Sequence, residues 1–314
     1  LEPTGFEYSI RETFSLHAAK RRPMRFARSH WQAFRASCRD IDNDRPAAII
    51  GLGGFASVPL AVAAHKRNVP CLLLEQNTVP GRANRWLSRW HSICLTFEES
   101  AKYLPARAVS HLTGNPLRAE IRELAASNHQ LPFSPRTLLV LGGSLGSRQV
   151  NDSIVNAVSE LQSEFSGWRI VHQTGSEGTE SAREAYTKLG IAHEVAPFFN
   201  DVPARLAATT LAVARAGATT LTELAAVGIP ALLIPYPTAA DDHQTKNAQF
   251  FADAQAAEIV ASPNRSFAPV ELAATLRPLL TDQQQLISMS QAMKNLGKPN
   301  AASEVAAILQ RLIG

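Results

Sequence analysis

The sequence predicts an α/β protein made of two halves, each a parallel sheet covered by helices. Short apolar runs alternate with stretches of helical periodicity along most of the chain, which is typical of strands joined by crossover helices. Glycine-rich turns follow several of these runs, as expected where a buried strand leads into a helix. The chain has 314 residues, a length that favours two domains. A polar, proline-containing stretch at 125–136 separates two series of such elements and is a candidate linker.

The first series is expected to open with a helix at 24–38, with Pro23 in its first turn, where helices tolerate proline. About three strands should follow in this half, with helices between them. The second series has a similar alternation and should end in three helices. The expected strands are 47–50, 71–74 and 93–96 in the first series, and 137–141, 169–173, 194–196, 211–214, 231–234 and 258–261 in the second.

Charge is unevenly distributed along the chain. Residues 1–118 carry 17 Lys and Arg against 9 Asp and Glu, a net charge of +8, and the remainder carries 14 against 18, a net charge of −4. The total of +4 is too small to indicate nucleic-acid binding, so no nucleic-acid partner is expected. The three cysteines are too few and too scattered for a disulfide framework or a zinc cluster, which favours a reducing compartment. Neither a membrane span nor a cleaved leader is expected from the apolar pattern.

The most basic segment is 11–39, which carries eight Lys and Arg and one acidic residue. Phe26, Trp31 and Phe34 lie among these charges. One interpretation is a surface helix with an apolar stripe toward the core. The other is a helix that lies on an anionic membrane surface, where basic and aromatic side chains act together.

Two glycine turns are candidate phosphate sites. They span 51–54 and 142–147, each between an expected strand and an expected helix. A helix N-terminus offers free N–H groups and a positive dipole end to an anion. Neither turn is a P-loop, and neither has a convincing dinucleotide fingerprint, which counts against an NAD-dependent oxidoreductase. A purely geometric role of the glycines remains open for both.

The segment 215–223 has a more specific pattern. A strand ends, Gly217 turns the chain, threonines fill the first helical turn, and Glu223 follows. Hydroxyls and N–H groups can hold a pyrophosphate, and a carboxylate at that depth can accept both hydroxyls of a ribose. Further on, Gln244 and Asn247 carry amides that suit the hydroxyls of a sugar. Helix capping is the alternative at both places.

Other candidate sites are weaker. Asp40 and Asp42 match a metal-binding spacing, but a solvated turn before a strand is expected there. His172 lies on an expected strand and is interpreted as a core histidine, and the nine histidines show no metal-ligand spacing. The sequence lacks a Gly-x-Ser-x-Gly elbow, which argues against an α/β-hydrolase.

Six motifs, taken in order, resemble the MurG family of peptidoglycan N-acetylglucosaminyltransferases. The resemblance extends over nearly the whole chain from about residue 20. The motifs are Gly53 to Pro59, Glu75-Gln76-Asn77, Gly114 to Arg118, Gly142 to Ser147, Arg215 to Glu223, and His243-Gln244 with Asn247-Ala248.

The resemblance implies a GT-B fold, in which two Rossmann-like domains face a cleft. It implies inverting transfer of N-acetylglucosamine from UDP-N-acetylglucosamine to the C4 hydroxyl of the muramyl sugar of lipid I, giving lipid II for peptidoglycan synthesis. Such an enzyme needs no metal and no cofactor. The implied domains are 1–118 for the acceptor and membrane, 119–296 for the donor, and 297–314 as a helix that returns to the first domain.

The resemblance also implies roles for particular residues. The nucleotide would be held by the first turns of one helix, with Glu223 on the ribose and Phe199 on the uracil. Arg118 and Ser144 would line the donor site, Gln244 and Asn247 would contact the sugar, and Asn77 would lie across the cleft. The helix residues are Ala218, Thr219, Thr220, Leu221, Thr222 and Glu223.

The sequence departs from the family at its beginning. The family starts with a strand and a Gly-Gly-Thr-Gly-Gly-His loop, whose histidine is the candidate general base, and this motif is not in the sequence. The first domain is therefore expected to be incomplete and its base absent. Two alternatives stay open: a donor-binding fragment without turnover, and a sugar-nucleotide epimerase of the same fold.

Charge and resemblance together predict a location. Lipid I is anchored in the bilayer, so the enzyme is expected as a peripheral protein on the cytoplasmic face of the bacterial cell membrane. The basic segment 11–39 would face anionic lipid, and the acidic second half would bind the soluble donor.

Overall fold

The computed structural model describes residues 10, 22–127, 129–142, 148–236, 242–260 and 269–314. The chain divides into two compact units. Unit 1 comprises Leu1–Gln76, Pro80–Thr113 and Ser303–Gly314, and unit 2 comprises Asn77–Val79 and Gly114–Ala302. Each unit contains one parallel sheet, as the alternation of apolar runs and helical stretches predicts.

Unit 1 contains a four-stranded sheet in the order β1-β2-β3-β4, with every neighbouring pair parallel. Its second strand is buried along its whole length, which explains the uninterrupted apolar run that ends in Glu75. The elements are α1 (Pro23–Asp44), β1 (Ile49–Gly51), α2 (Val58–Lys66), β2 (Cys71–Glu75), α3 (Arg82–Leu87), β3 (Ser92–Leu95) and β4 (Ser110–Leu112).

Unit 2 contains a six-stranded parallel sheet in the order β10-β9-β8-β5-β6-β7. Its elements up to β8 are α4 (Ala119–Ala126), β5 (Arg136–Leu141), α5 (Arg148–Glu160), β6 (Trp168–Gln173), α6 (Thr179–Lys188), β7 (Ala192–Ala196), α7 (Val202–Ala207) and β8 (Leu211–Ala214). The remaining elements are α8 (Ala218–Val227), β9 (Ala231–Leu233), α9 (His243–Asp253), β10 (Ala257–Ile259), α10 (Pro269–Thr281), α11 (Gln283–Leu296) and α12 (Ala301–Ile313).

The strand order of unit 2 reverses between β5 and β8. From β5 the chain continues to β6 and β7 on one side, then returns to β8 on the other side of β5. In parallel sheets with this topology, ligands bind outside the carboxyl ends of the strands that flank the reversal. The fold therefore directs attention to the residues that follow Leu141 and Ala214.

The last helix, α12, packs on the sheet of unit 1. Val305 and Ile308 form a buried cluster with Leu72, Leu74 and Cys94, which lie on the face of β2 and β3 toward this helix. The opposite face of the sheet is covered by α1 and α2 through a second cluster that includes Cys38, Ile41, Ala61, Ala64, Leu73 and Ile93. The two central strands of unit 1 are thus covered on both faces, which is typical of a parallel sheet.

The structure corrects three expectations from the sequence. Unit 1 has a fourth strand, Ser110–Leu112, which the pattern missed because its side chains are exposed or half-buried and form no apolar run. The stretch 125–136 lies inside unit 2 and does not separate the two units. Helix α1 runs on to Asp44, so Asp40 and Asp42 lie in its last turns and not in a solvated turn.

Asp42 has an ion-pair partner that accounts for its position. The guanidinium of Arg67 donates from Nε to Oδ1 and from Nη2 to Oδ2, both at 2.7 Å. These hydrogen bonds hold the pKa of Asp42 below its usual value. Asp42 thus lies near the end of α1 and fixes this helix to the residue that follows α2. Within the described ranges, no helix has the combination of length and apolar character that crossing a membrane requires.

Candidate functional site

The site begins at the carboxyl end of β8, one of the two strands at the reversal. Gly217 has an extended backbone and is followed at once by α8, which begins at Ala218. The first N–H group used within the helix is that of Leu221, which donates to the carbonyl of Gly217 at 3.0 Å. The N–H groups that precede that of Leu221 point out of the helix N-terminus, and Gly217 has no side chain to cap them. The N-terminus of α8 is therefore a favourable place for an anion.

Arg118 and Glu223, which the sequence places far apart, meet in this unit. Arg118 donates to Oε1 of Glu223 from Nε at 3.1 Å and from Nη2 at 2.7 Å. The Glu223 side chain is only 10% exposed, whereas that of Arg118 is 49% exposed. A nearly buried carboxylate on α8 thus lies under a half-exposed guanidinium, in a position where the second carboxylate oxygen can accept hydroxyl groups.

The other residues at the start of α8 differ in whether their polar groups are accessible to a ligand. Thr219 is exposed and Thr220 is half-buried, so both hydroxyls are within reach of a ligand. The hydroxyl of Thr222 donates back to the helix, to the carbonyls of Ala218 at 2.9 Å and Thr219 at 3.0 Å. Leu221 is fully buried and its N–H donates to the carbonyl of Gly217, so its side chain packs inside the unit.

Arg215 adds a positive charge next to the N-terminus of α8. It follows β8 directly, and its Nη1 donates to the carbonyls of Ile234 at 3.3 Å and Pro235 at 3.4 Å. Its guanidinium lies 5.2 Å from the ring centroid of Tyr236. Burial lowers the pKa of Arg215 from its usual range. Arg215 opens the motif that ends at Glu223, but it was not predicted as a site residue.

Asn247 and Asn77 also come together. The Asn247 Oδ1 accepts from the N–H of Thr78 and from its hydroxyl, both at 2.9 Å. Its Nδ2 donates to Oδ1 of Asn77 at 3.1 Å and to the carbonyl of Ala216 at 3.2 Å. All four hydrogen-bonding positions of this buried amide are therefore used within the chain, and a sugar hydroxyl could bind it only in exchange for one of them.

Gln244 lies in the first turn of α9 and is half-buried. Its Oε1 accepts a hydrogen bond from the N–H of Tyr236 at 2.9 Å. This bond fixes the side chain at the carboxyl edge of the sheet, near the residues that follow β9. Of the two amides expected to contact a sugar, Gln244 is the more accessible.

The two phenylalanines after β7 differ in exposure. Phe199 is 4% exposed, with the guanidinium of Arg205 lying 3.6 Å from its ring centroid. Phe198 is 58% exposed. The ring of Phe199 is thus part of the fold, and the accessible aromatic face belongs to Phe198, which the sequence did not single out. Ser144 lies outside the described residues.

Two models of one glycosyltransferase family match this chain, one in each unit. The description "Glycosyltransferase family 28 C-terminal domain" matches residues 137–305, and "Glycosyltransferase family 28 N-terminal domain" matches residues 12–94. A protein of Syntrophotalea carbinolica named UDP-N-acetylglucosamine–N-acetylmuramyl-(pentapeptide) pyrophosphoryl-undecaprenol N-acetylglucosamine transferase is 41% identical over 272 residues. The alignment covers 86% of this chain and 74% of that protein.

Two solved structures agree with the fold. The crystal structure of Acinetobacter baumannii MurG has a TM-score of 0.76 at 29% identity, covering 91% of this chain and 79% of its own. A putative UDP-N-acetylglucosamine 2-epimerase from Listeria monocytogenes has a TM-score of 0.67 at 15% identity, covering 90% and 79% of the two chains. The second likeness shows the fold alone. The GT-B fold of two parallel-sheet units is confirmed.

The motifs, the fold and the relatives thus agree over most of the chain. The chain belongs to glycosyltransferase family 28, within the UDP-N-acetylglucosamine–N-acetylmuramyl-(pentapeptide) pyrophosphoryl-undecaprenol N-acetylglucosamine transferases, the MurG family that its motifs resemble.

Proposed function

We propose that the protein transfers N-acetylglucosamine from UDP-N-acetylglucosamine to the C4 hydroxyl of the muramyl sugar of lipid I, with inversion at the anomeric carbon. The observation that carries this proposal is an open helix N-terminus at Gly217 together with the Glu223 carboxylate on the same helix, which is paired with Arg118. The two features suit the pyrophosphate and the ribose of a nucleoside diphosphate. The names of the relatives supply the sugar and the acceptor.

In this proposal, unit 2 binds the donor. The N–H groups at the start of α8, with the hydroxyls of Thr219 and Thr220, take the pyrophosphate, and Arg215 adds positive charge nearby. Glu223 accepts the ribose hydroxyls while Arg118 holds its other oxygen. Gln244 donates to the hydroxyls of the sugar.

The nucleobase and the transferred sugar complete the assignment. The exposed ring of Phe198, at the same carboxyl edge, offers a flat apolar face to the uracil. We assign Asn77, whose Oδ1 accepts a hydrogen bond from Asn247, to the transferred sugar. We assign no general base, metal or cofactor among these residues.

We further propose that α1 attaches the protein to the cytoplasmic face of the membrane. One face of the helix is buried through Ala33, Cys38 and Ile41, so the core-stripe interpretation describes that face correctly. The remaining surface carries exposed arginines together with two exposed apolar side chains, Met24 and Trp31. A surface of this composition suits anionic headgroups. The exposed arginines are Arg22, Arg25, Arg28, Arg35 and Arg39.

Two measurements test the enzymatic proposal. The first is calorimetric titration of the chain with UDP, and the second is transfer of labelled sugar to a soluble lipid I analogue. We expect UDP to bind to the unaltered chain. Glu223→Gln should lower the affinity for UDP by about 10- to 100-fold, because charged hydrogen bonds contribute about 1.5–3 kcal/mol. The control Glu184→Gln removes an exposed carboxylate on α6 and should leave the affinity for UDP unchanged.

The outcomes separate the competing hypotheses. Absence of UDP binding by the unaltered chain would overturn the proposal. Binding without transfer supports a donor-binding protein without turnover. Isomerised donor sugar, formed in the absence of acceptor, would instead favour an epimerase.

A further inference from the structure

Three polar side chains form a fully buried chain of hydrogen bonds inside unit 2. Tyr186 on α6 and His172 on β6 are completely buried, and Asn151 on α5 is nearly so. The His172 Nδ1 lies 2.9 Å from the Tyr186 hydroxyl, and its Nε2 lies 3.2 Å from Oδ1 of Asn151. Buried polar groups are costly unless each has a partner, and a continuous network meets that requirement.

The direction of every bond in this network is determined. The Nδ2 group of Asn151 donates to the carbonyls of Thr174 at 2.9 Å and Glu177 at 3.1 Å, so its Oδ1 must be an acceptor. His172 therefore donates to Asn151 from Nε2, which leaves Nδ1 to accept from the Tyr186 hydroxyl. This tautomer is neutral, and burial lowers the pKa of His172 to about 3. Tyr186 thus donates to His172, and His172 donates to Asn151.

The end of this network holds the loop that follows β6 and packs against Gly142 at the end of β5. The two acceptor carbonyls belong to the loop that follows β6, and Asn151 lies near the start of α5. A Cβ atom on Gly142 would lie 3.4 Å from the Asn151 Oδ1, and one on Gly178 would lie 3.2 Å from its Nδ2. Both glycines are thus packed against the amide, so Asn151 joins the end of β5 to the loop after β6.

That loop in turn holds the segment that carries Phe198. The N–H of Thr174 donates to the carbonyl of Ala196 at 3.1 Å, and that of Gly175 donates to the carbonyl of Pro197 at 3.0 Å. Next to them, the N–H of Phe199 donates to Oε1 of Gln173 at 3.1 Å. The position of the exposed Phe198 ring therefore depends on the loop that Asn151 fixes.

We propose that His172, acting through Asn151, is a positioning residue for the nucleotide end of the donor site. It touches no ligand itself. This inference rests on the proposed function, because it assigns the Phe198 segment to the nucleobase. Loss of the link from His172 to Asn151 releases the loop after β6, and the base-binding segment shifts with it.

A matched pair of substitutions tests the link. In His172→Gln, the amide nitrogen occupies a place equivalent to Nε2 and can still donate to Asn151. In His172→Asn, the shorter amide reaches only the place of Nδ1 and cannot. We expect His172→Asn to raise the Kd for UDP about tenfold, and His172→Gln to stay within about threefold of the unaltered chain.

Kinetics distinguish positioning from simple destabilisation. In transfer assays, His172→Asn should raise the KM for UDP-N-acetylglucosamine with a smaller change in kcat, because the displaced segment contacts the base and not the reacting centre. A structural role alone predicts similar lowering of the thermal midpoint in both variants and no difference in KM between them. If His172→Asn does not fold, His172→Leu, which has an apolar side chain of similar size but no donor for Asn151, must raise the Kd for UDP by at least about tenfold.

The results separate this inference from the proposed function. If the unaltered chain does not bind UDP, the proposed function and this inference both fail. If it binds UDP and both variants bind equally tightly, only the positioning role of His172 is overturned.

Discussion

Arg118 donates two hydrogen bonds to a single oxygen of Glu223, although the two residues are 105 positions apart in the chain. The carboxylate is nearly buried and the guanidinium is half-exposed. The pair therefore has two functions that can be measured separately: it compensates a buried charge, and it leaves one carboxylate oxygen for a ligand.

The first prediction concerns the buried charge. Arg118→Gln leaves the Glu223 carboxylate without its cation, which should cost about 2 kcal/mol and lower the thermal midpoint by about 4–8 °C. The double variant Arg118→Gln/Glu223→Gln should recover most of this loss, because an amide can stay buried uncharged. Additive effects in this double-mutant cycle would show that the pair contributes nothing to stability.

The second prediction separates the sugar from the nucleotide. Gln244→Ala should raise the KM for UDP-N-acetylglucosamine about tenfold, because an amide contact to the sugar hydroxyls is lost. The Kd for UDP should stay unchanged, since UDP lacks the transferred sugar. Gln249→Ala, at an exposed position on the same helix, is the matched control. An equal loss of UDP affinity in Gln244→Ala would remove Gln244 from the sugar site.

The third prediction concerns α1. Replacing Arg22, Arg25 and Arg28 with Gln should weaken binding to phosphatidylglycerol vesicles by about 3 kcal/mol, since each basic side chain near such a surface contributes about 1 kcal/mol. Binding should also weaken as salt rises. A flotation assay with vesicles of defined composition measures this binding. The affinity for UDP should not change.

The control for this experiment removes the same charge from unit 2. The variant Arg122→Gln/Arg183→Gln/Lys188→Gln loses three exposed basic residues there. If both triple variants lose vesicle binding equally, the attraction depends on total charge and α1 is an ordinary solvated surface.

The fourth prediction is a pH dependence of stability due to His172. Its pKa is lowered to about 3 in the folded protein by burial, from an ordinary value of about 6.5 in the unfolded chain. Between these values the unfolded chain binds a proton that the folded chain excludes. The stabilisation is therefore complete above pH 6.5 and is lost as the pH falls toward 3, by at most about 1.4 kcal/mol per pH unit.

Thermal unfolding between pH 4 and 7 measures this effect. His172→Gln has no titrating ring, so its midpoint should fall less steeply as the pH decreases. Identical slopes for the two proteins would show that His172 does not exclude a proton in the folded state.

The sequence predicted the elements whose signal is local. The runs at 137–141 and 211–214 are buried strands because a parallel sheet covered on both faces excludes polar side chains. The same pattern failed at Ser110–Leu112, an exposed strand without an apolar run. It also ended α1 too early, since nothing near Asp42 in the sequence indicates its partner, Arg67.

The sequence predicted which types of residue form the candidate site, but only part of how they are arranged. Threonines after a glycine turn and a carboxylate on the same helix indicate a nucleotide site from the sequence alone, and the order of six motifs indicates the family. The sequence could not predict which of the adjacent rings of Phe198 and Phe199 is exposed, because only the folded chain brings Arg205 over the ring of Phe199. Asn247 likewise appeared to be a free amide until its partners were known.

By itself, the sequence determined the two-unit α/β class, the family and the residue types of the donor site, because strand burial, helix starts and motif order are properties of neighbouring residues. Only the tertiary structure decided that Arg118 pairs with Glu223, that Asn247 binds Asn77, and that His172 is hydrogen-bonded to Asn151. The partners in these contacts lie 105, 170 and 21 positions apart in the chain, so no pattern of neighbouring residues indicates them.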